Sequence, residues 1–542
     1  MPICPISSEA KQGKQRRTTN LENFMESQFR KYFKTHFSLI IKSGFSLGLA
    51  ISYKQTPLYS SNQNSYFVHG LVNSGLSSLQ RDWFSQTIDP FPAFSSLLSI
   101  IIQTIGEKGF FFAYIILLSI FSYCVLDIVS KNCGIQEKQN LFLYSALLFL
   151  MYSGILSDFL LTTLPKGASV FSPNGLLVSG VAGQYVLGPY FQPSTFGIFL
   201  LLSICLFLCN KFYWAVVCIA VAVNFHPGYI LSAAILTLSY MSTIYITSKN
   251  FSKGLELGIV TFLAVLPCII YAVTNFSSTT TDIFKSAQNI LANYRIPHHA
   301  IIRNWLDTNS VFQLLIIVVS IFLVKNSKLF YILLISFFCS VFLTVFQALS
   351  QNLSLALLFP WRISVILVPL GSAIILAKIV TLLSFNINKQ ILKHRSFFKA
   401  IVIIITLLFG YYGIKNTIET FRAPRIGLSP SVQFAKNSFQ FNHLYLIPPE
   451  NMFFRLAAEV PVFVDFKSHP YKDSEIIEWH KRIEIANQLY ASEGTNTCEQ
   501  LIKTVDEYTI THIVWPANSE VENCEPILEI FNDDEFRIYK VK

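Results

Sequence analysis

Long apolar runs follow one another along most of the chain, and short polar or turn-rich segments separate them. An apolar run of about 17–25 residues has the length that crosses a bilayer as a helix. About eleven runs are long enough, or nearly so, to be predicted as membrane spans. They are Phe37–Tyr53, Gly109–Val129, Leu141–Ser157, Ser194–Cys209, Phe212–Phe225, Tyr229–Ile246, Leu255–Thr274, Val311–Val324, Leu329–Leu349, Ile363–Leu383 and Ala400–Ile414. The pattern predicts a mainly α-helical, polytopic membrane domain over residues 37–418, after a basic tail over residues 1–36.

The pattern changes after residue 418, where short β-rich runs alternate with helical ones. The predicted strands are His443–Ile447, Val462–Phe466, His512–Trp515 and Phe536–Val541, and the predicted helices are Ser474–Ala491 and Thr497–Tyr508. Asp473 stands where it can cap the first of these helices, and acidic residues near its first turn suit the helix dipole. This alternation predicts a small α/β domain over residues 419–542.

Composition excludes a mainly soluble protein. Of the 542 residues, 52% are hydrophobic and only 13% are charged, whereas soluble domains carry about 25% charged residues. The formal net charge is +10, but the basic residues form short clusters beside the apolar runs. Membrane proteins set their orientation with such clusters, and nucleic acid is therefore not predicted as a partner.

The basic clusters also predict the orientation of the chain. Alternate loops carry Lys131 and Lys138, Lys211, Lys249 and Lys253, Lys325 and Lys328, and finally Lys389, Lys393, Arg395 and Lys399. Cytoplasmic loops have this excess of Lys and Arg, so the N-terminus is predicted to be cytoplasmic. An odd number of spans then places residues 419–542 outside the cytoplasm, on the same side as the first outer loop, residues 54–108. The predicted location is the cytoplasmic (inner) membrane, crossed many times.

The first outer loop holds the best candidates for acid–base chemistry. Its segment Ser65–Phe94 carries Asp82 and Asp89 among aromatic residues, and a positioned carboxylate can act as a general base. The Trp83–Phe84 pair predicts that the loop packs on the membrane domain, where partial desolvation would raise the pKa of Asp82. The alternative is a surface loop with an Arg81–Asp82 ion pair and a helix cap at Asp89.

Basic and imidazole side chains on the same predicted side are candidates for an anion site, because a guanidinium group binds phosphate in a bidentate geometry. The candidates for substrate binding are His69, Arg81, His226, Arg295, Arg303 and Arg362. The alternatives are anchoring at the membrane interface and exposure in a solvated loop. The C-terminal domain adds a second group, Arg455, Asp465, Lys467 and Trp479. That group forms either a binding site or a structural salt-bridge network.

The cysteines and the known motifs indicate no cofactor. The 10 cysteines show no CxxC pair and no metal-ligand spacing, so no metal site is predicted and a divalent metal ion is not indicated. Nucleotide-binding, dinucleotide-binding and zinc-protease motifs are absent from the sequence. Cys498 and Cys524 belong to the C-terminal domain, and if that domain lies outside the cytoplasm they can pair.

The arrangement resembles the GT-C class of membrane glycosyltransferases, which use lipid-linked sugar donors. The resemblance rests on a first span followed at once by a loop with an acidic site, here QRDWFSQTIDPFP. Many short spans, outer loops with Arg and His, and a C-terminal α/β domain complete it. The stretch that contains IPPENMFFR, VDFK and EWHKR is similar to uncharacterised bacterial multi-spanning proteins of this type. The WWDYG-type motif of oligosaccharyltransferases is absent.

The resemblance implies that a sugar is transferred from a polyprenyl-phosphate donor to a glycan, lipid or protein acceptor at the outer face of the membrane. It also implies inversion at the anomeric carbon and contact with membrane lipids. It implies an essential acid in the first outer loop, and Asp82 matches that position best, with Asp89 second. Arg303 or Arg362 would stabilise the leaving phosphate. The alternatives are a flippase or transporter of lipid-linked glycans, a glycan polymerase or ligase, and a non-catalytic membrane scaffold.

Overall fold

The computed structural model describes residues 39–135, 138–152, 178–390, 395–423, 425, 429–491, 495–518 and 524–542. The basic tail, the end of the predicted span Leu141–Ser157 and part of the predicted inner loop 389–399 lie outside these residues. The described chain is mostly helical and ends in a small β-sheet.

The helices have the following bounds. In the first half they are Leu39–Ser52, Gln63–Tyr66, Val68–Asn73, Pro92–Ile105, Gly109–Asn132, Lys138–Tyr152, Ile198–Leu208, Phe212–Phe225, Ile230–Ser248 and Phe251–Asn275. In the second half they are Thr281–Asn289, Pro297–Ala300, Ile302–Trp305, Thr308–Leu323, Lys328–Ser350, Leu353–Leu357, Ser364–Gln390, Arg395–Arg422, Pro430–Ser438, Phe454–Ala458, Asp473–Ala491 and Thr495–Tyr508. A π-helical turn, Ile290–Arg295, and short 3₁₀ turns connect some of them.

Several helices have the length and composition of membrane spans. Within the described residues, five meet both criteria: Gly109–Asn132, Pro227–Ser248, Phe251–Asn275, Lys328–Ser350 and Ser364–Leu382. The shorter apolar helices are Leu39–Ser52, Pro92–Ile105, Asn140–Tyr152, Pro193–Leu208, Phe212–Phe225 and Thr308–Leu323. The predicted count of about eleven spans is therefore met only in part, because many of the predicted runs form helices shorter than a straight span.

Two predicted boundaries differ from the structure. The first outer loop contains helices, and Pro92–Ile105 is an apolar helix with Pro at its start, a position where the fixed φ of proline favours a helix. It buries Phe94 and Leu98. At the other end of the membrane domain, the helix Arg395–Arg422 continues past residue 418, so the C-terminal domain begins later than the sequence pattern predicts.

The C-terminal sheet has four strands in the order β1 (Tyr445–Leu446), β2 (His512–Pro516), β4 (Phe536–Val541) and β3 (Ile527–Asn532). β1 and β2 are parallel, and β4 runs antiparallel to both β2 and β3. The predictions for β2, β4 and both helices are confirmed to within two residues, whereas β3 was not predicted. Cys498 and Cys524 form the disulfide, with their Cα atoms 5.4 Å apart.

The predicted strand Val462–Phe466 is wrong. Val462 makes a single bridge to Tyr445, and the chain then turns. The turn forms because one carboxylate oxygen of Asp465 accepts hydrogen bonds from the backbone N–H groups of Lys467 (2.8 Å) and Ser468 (2.7 Å). Short Asp side chains favour turns in this way.

The C-terminal domain packs directly on the first outer loop and on the segment that follows Asn275. The helix Thr281–Asn289 contacts the helix Asp473–Ala491. Asp473 accepts hydrogen bonds of 2.7 Å from the backbone and the hydroxyl group of Thr279, so it joins two parts of the chain besides bonding to its own helix. This packing creates a junction between the membrane and C-terminal domains, where most of the predicted site residues lie.

Candidate anion-binding site

Asp82, Arg455 and Asp465 form a buried triad at the junction. Arg455 Nε donates to Asp82 Oδ2 at 2.9 Å, and its Nη1 donates to Asp465 Oδ2. Asp82 is fully buried and the Arg455 side chain is 2% exposed. Backbone N–H groups of Val462 (2.9 Å) and Phe84 (3.0 Å) donate to the two oxygens of Asp82. Both oxygens of this carboxylate therefore accept hydrogen bonds from the protein itself.

This geometry argues against Asp82 as the general base. A general base must come within hydrogen-bond reach of the proton that it removes, and Asp82 has no exposed surface. The expected Arg81–Asp82 ion pair is also replaced by the pair with Arg455. Arg81 is exposed and lies over the ring of Phe441, 4.1 Å from its centroid. Both neighbours therefore dock the first loop on the C-terminal domain.

Asp465 holds the turn that follows it at the edge of the junction. Its backbone carbonyl accepts a 3.1 Å hydrogen bond from Trp479 Nε1, and Trp479 is fully buried. Ser468 Oγ accepts from Arg455 Nη1 at 2.7 Å. The predicted group in the C-terminal domain is thus partly a structural network, and the turn that it holds contains Lys467 and precedes His469.

Arg295 is a buried arginine without a carboxylate partner. It ends the π-helical turn Ile290–Arg295, a distortion that is frequent at functional sites. The residue is 8% exposed, its Nη2 donates to the carbonyl of Lys467 at 3.1 Å, and its Nε has no hydrogen-bond partner. Among the described residues, no Asp or Glu lies within ion-pair distance of its guanidinium group. A buried charge without a counter-charge is costly, and the ring of Phe466, whose centroid lies 5.0 Å from the guanidinium carbon, offsets part of that cost. Arg295 is therefore a candidate anion-binding residue.

Arg362 and His226 form a second basic pair. Arg362 Nη2 donates to His226 Nε2 at 2.6 Å, and its Nη1 donates to the side-chain oxygen of Gln184 at 2.9 Å. His226 Nε2 therefore faces the guanidinium donor, and the backbone N–H of Gly228 points at its Nδ1 at 3.3 Å. The Nε of Arg362 is buried without a partner. The helix Phe212–Phe225 ends directly before His226, and the helix Ser364–Gln390 begins just after Arg362, so two adjacent helix ends supply this pair.

Burial and the positive charges of Arg295 and Arg362 lower the pKa values of the basic side chains beside them. Burial, followed by the charge of Arg295, lowers the pKa of Lys467 to about 8. Burial and then Arg362 hold the pKa of His226 well below its usual range, and burial and then Arg295 do the same for His469. We call Arg295, Arg362 and Lys467 the cationic cluster. Asp465 is the carboxylate that acts on both Arg295 and Lys467, and it is already bonded to Arg455.

Two tyrosines complete the surroundings of the cationic cluster. Burial raises the pKa of Tyr471 well above its usual range, and Tyr66 lies within hydrogen-bond reach of its hydroxyl group. Both rings pack edge-on against Phe91, at centroid distances of 5.5 and 5.0 Å, and Phe91 also contacts His226 at 5.1 Å. These hydroxyl groups can donate to the oxygens of an anion. Neither tyrosine was predicted, although Tyr471 lies two residues after His469.

Of the two candidate carboxylates in the first loop, Asp89 is the one that stays partly accessible. One of its carboxylate oxygens accepts from the backbone N–H of Phe91 at 2.8 Å, and its own carbonyl accepts from the hydroxyl of Tyr271 at 2.6 Å. No ion pair to Asp89 occurs in the part of the chain that the structure describes. The ring of Phe91, two residues on, contacts both His226 and Tyr471, so the backbone next to Asp89 borders the surroundings of the cationic cluster.

A second carboxyl group, Glu475, lies next to Asp89. It accepts from the backbone N–H of Ile88 at 3.1 Å, and its other oxygen is buried without a partner. Burial is the main cause that raises the pKa of Glu475. The sequence pattern indicated only a favourable position in the first helical turn for this residue.

The remaining predicted residues do not join the cluster. His69 is buried and bonds to the carbonyl of Thr87 at 3.0 Å. Arg303 is exposed on the short helix Ile302–Trp305. Within the described ranges, no group of three or more His, Cys, Asp or Glu side chains could hold a metal ion. The structure thus brings together Arg295, Arg362, His226 and Lys467, with Asp89 beside them.

Comparison with known families gives one match. The model of a Domain of unknown function (DUF6798) matches residues 429–486. That stretch begins just before the helix Pro430–Ser438, ends within the helix Asp473–Ala491, and includes Arg455, Asp465 and Lys467. No curated protein matches the chain. The similarity therefore concerns the part of the C-terminal domain that completes the junction.

Proposed function

We propose that this protein is an integral membrane glycosyltransferase of the GT-C type, which takes its sugar from a polyprenyl-phosphate donor. The cationic cluster would bind the donor phosphate, and Asp89, rather than Asp82, would be the general base. One observation carries this proposal: Arg295 is buried among ring systems and backbone with no carboxylate partner among the described residues. A phosphate with its neighbouring sugar is an anion that this setting would accept.

The proposed reaction needs no group beyond the two substrates. Asp89 removes the proton from an acceptor hydroxyl group as that oxygen attacks the anomeric carbon of the donor. The bond between the anomeric carbon and the phosphate oxygen breaks, and the polyprenyl phosphate leaves with the electron pair. Arg295 and Arg362 stabilise the negative charge that develops on this oxygen. A single displacement inverts the configuration of the anomeric carbon.

The proposal includes an orientation. The basic loops predicted to be cytoplasmic would leave the junction at the outer face of the inner membrane, with the N-terminus in the cytoplasm. The donor lipid would remain in the bilayer, and a glycan, lipid or protein acceptor would approach from outside. The contact between the first loop and the C-terminal domain supports this scheme, because both must then lie on one side.

Transfer measured with two variants and a control tests the proposal. Arg295→Gln should raise the KM for the polyprenyl-phosphate sugar, and the Kd for sugar-free polyprenyl phosphate, about tenfold or more, since charged hydrogen bonds contribute about 1.5–3 kcal/mol each. Asp89→Asn should lower kcat on the order of 100-fold and leave the Kd for polyprenyl phosphate unchanged. Lys285→Gln removes an exposed charge on the helix Thr281–Asn289 and should change neither.

Other outcomes would favour the alternatives. If the wild type transfers no sugar but moves a lipid-linked glycan across vesicle membranes, a flippase is the better description. Unchanged polyprenyl-phosphate binding in Arg295→Gln would remove the phosphate site. Full transfer by Asp89→Asn would move the general base elsewhere, with Glu475 as the next carboxyl group to replace.

A further inference from the structure

A polar cavity of about 330 Å³ lies next to the cationic cluster and differs from it in charge. Its wall includes Trp305, Asp307, Gln313 and His298, together with the amide side chains of Asn304 and Asn309. Pockets of about 300–1,000 Å³ bind small molecules, and a few placed polar groups on an aromatic wall decide which one. We call this space the polar cavity.

The polar cavity carries no fixed positive charge among its lining residues. Burial, followed by the charges of Arg295 and Lys467, lowers the pKa of His298, so this imidazole is neutral at pH 7. The carboxylate is Asp307, which caps the helix Thr308–Leu323 by accepting from the backbone N–H of Ser310 at 2.8 Å. Amides and a carboxylate around an indole ring suit a neutral molecule with many hydroxyl groups rather than an anion.

The polar cavity shares a wall with the surroundings of the cationic cluster. The rings of His298 and His299 lie 4.1 Å apart, and His299 Nδ1 bonds to the carbonyl of Ala182 at 2.7 Å. Gly183 lines the cavity with φ of +63°, and a Cβ at that position would lie 3.4 Å from the His299 ring. The charges of Arg362 and Arg295 also act on His299. The two histidines therefore lie between the polar cavity and the cationic cluster in their contacts and electrostatics.

We propose that the polar cavity binds a neutral sugar ring. A pyranose has an apolar C–H face that can pack on Trp305, and its rim of hydroxyl groups can bond to the amides of Asn304 and Asn309. The sugar ring belongs either to the donor, with its phosphate in the cationic cluster, or to the acceptor. That a sugar is the substrate of this protein rests on the proposed function. That the polar cavity can bind a sugar ring rests on the residues that line it.

Binding of free sugars tests the cavity without any assumption about transfer. Saturation-transfer NMR of the full chain in detergent, with a panel of methyl pyranosides, should detect at least one binder. The double variant Asn304→Ala/Asn309→Ala should weaken that binding about tenfold, since two neutral hydrogen bonds are lost. Asn532→Ala removes an exposed amide outside the cavity and is the matched control. Absence of any binder, or equal binding by the double variant, would overturn the proposal.

Transfer kinetics then identify the source of the ring. If it belongs to the donor, the double variant raises the Kd for the polyprenyl-phosphate sugar but not the Kd for sugar-free polyprenyl phosphate. If it belongs to the acceptor, only the KM for the acceptor rises. Sugar binding that depends on Asn304 and Asn309, in a protein whose Arg295→Gln variant binds polyprenyl phosphate normally, would keep the cavity and reject the glycosyltransferase mechanism.

Discussion

Replacing Asp82 by Asn should destabilise the docking of the C-terminal domain rather than remove a catalytic group. The substitution keeps the size of the side chain and removes its charge and one acceptor. In the native protein, Oδ2 accepts from Arg455 and Val462, and Oδ1 accepts from Phe84. An Asn side chain has one oxygen, so its NH₂ group must face at least one of these donors. The guanidinium group of Arg455 also loses one of its two carboxylate partners.

The expected size of the effect follows from this burial. Removing one partner of a buried ion pair costs about 3–5 kcal/mol, and we expect the lower end of that range because Arg455 keeps its pair with Asp465. For a unit of roughly 100 residues, 1 kcal/mol shifts the melting temperature by about 4–8 °C. The apparent Tm of the C-terminal domain in the full chain should therefore fall by on the order of 10 °C or more.

Thermal denaturation of the purified full chain in detergent measures this fall, and limited proteolysis reports whether the C-terminal domain undocks. Arg81→Gln is the matched control. This neighbour is exposed and makes a cation–π contact with Phe441, which is worth about 0.5–1 kcal/mol at an exposed site. A double-mutant cycle with Arg455→Met should show that the two losses are not additive, since both variants break the same pair.

One result would show that Asp82 does not act as a docking residue. If Asp82→Asn melts within about 1 °C of the wild type and still loses sugar transfer, then Asp82 is accessible in the working protein. It would then be the general base after all, and the buried triad would not hold the domains together.

Two further predictions concern the C-terminal domain. Burial lowers the pKa of His512 from 6.5 to about 4 and also lowers that of neighbouring His443, so the unfolded domain binds more protons at acid pH. The stability that the neutral histidines contribute should therefore be fully present above about pH 6.5 and decrease as the pH falls toward 4. The variant His512→Asn should make the apparent Tm less sensitive to acid. An unchanged pH profile in this variant would contradict the prediction. The disulfide Cys498–Cys524 closes a sequence separation of 26 residues, so Ser at both positions should cost about 3.5 kcal/mol by the chain-entropy relation. Cys339→Ser, which replaces a free thiol, is the control for this loss of stability. Alkylation of Cys498 and Cys524 in cells that have not been treated with a reductant would contradict their predicted place outside the cytoplasm.

Local patterns predicted much of the fold because their physical causes are local. The helix Asp473–Ala491 and the strand Phe536–Val541 follow from periodicity and β-propensity within a few residues. The strand Ile527–Asn532 was missed, since it is largely exposed and gains its order from pairing with its neighbour. Val462–Phe466 has the composition of a strand, but the side chain of Asp465 competes for the backbone and turns the chain.

The candidate site was predicted in part for a related reason. Arg295, Arg362 and His226 are notable in any chain with so few charges, and their positions at the ends of helices are visible in the sequence. The choice between Asp82 and Asp89 is different. It depends on Arg455, which lies 373 residues after Asp82, and no local pattern indicates that partner. The more buried carboxylate is the structural one, although proximity in sequence made Arg81 its expected partner.

Domain docking and the surroundings of Arg295 depend on the same residues in this structure. Arg455 joins the first loop, through Asp82, to the turn that Asp465 holds. That turn supplies the carbonyl of Lys467 to Arg295, whose remaining Nε has no partner. Without the C-terminal domain, Arg295 would lose its hydrogen bond to the carbonyl of Lys467 and its contact with the ring of Phe466, and it would become more exposed. The region that matches the domain family, residues 429–486, contains Arg455, Asp465 and Lys467. We therefore expect that the C-terminal domain acts by completing the proposed anion site on the membrane domain of the same chain, rather than by binding a substrate alone.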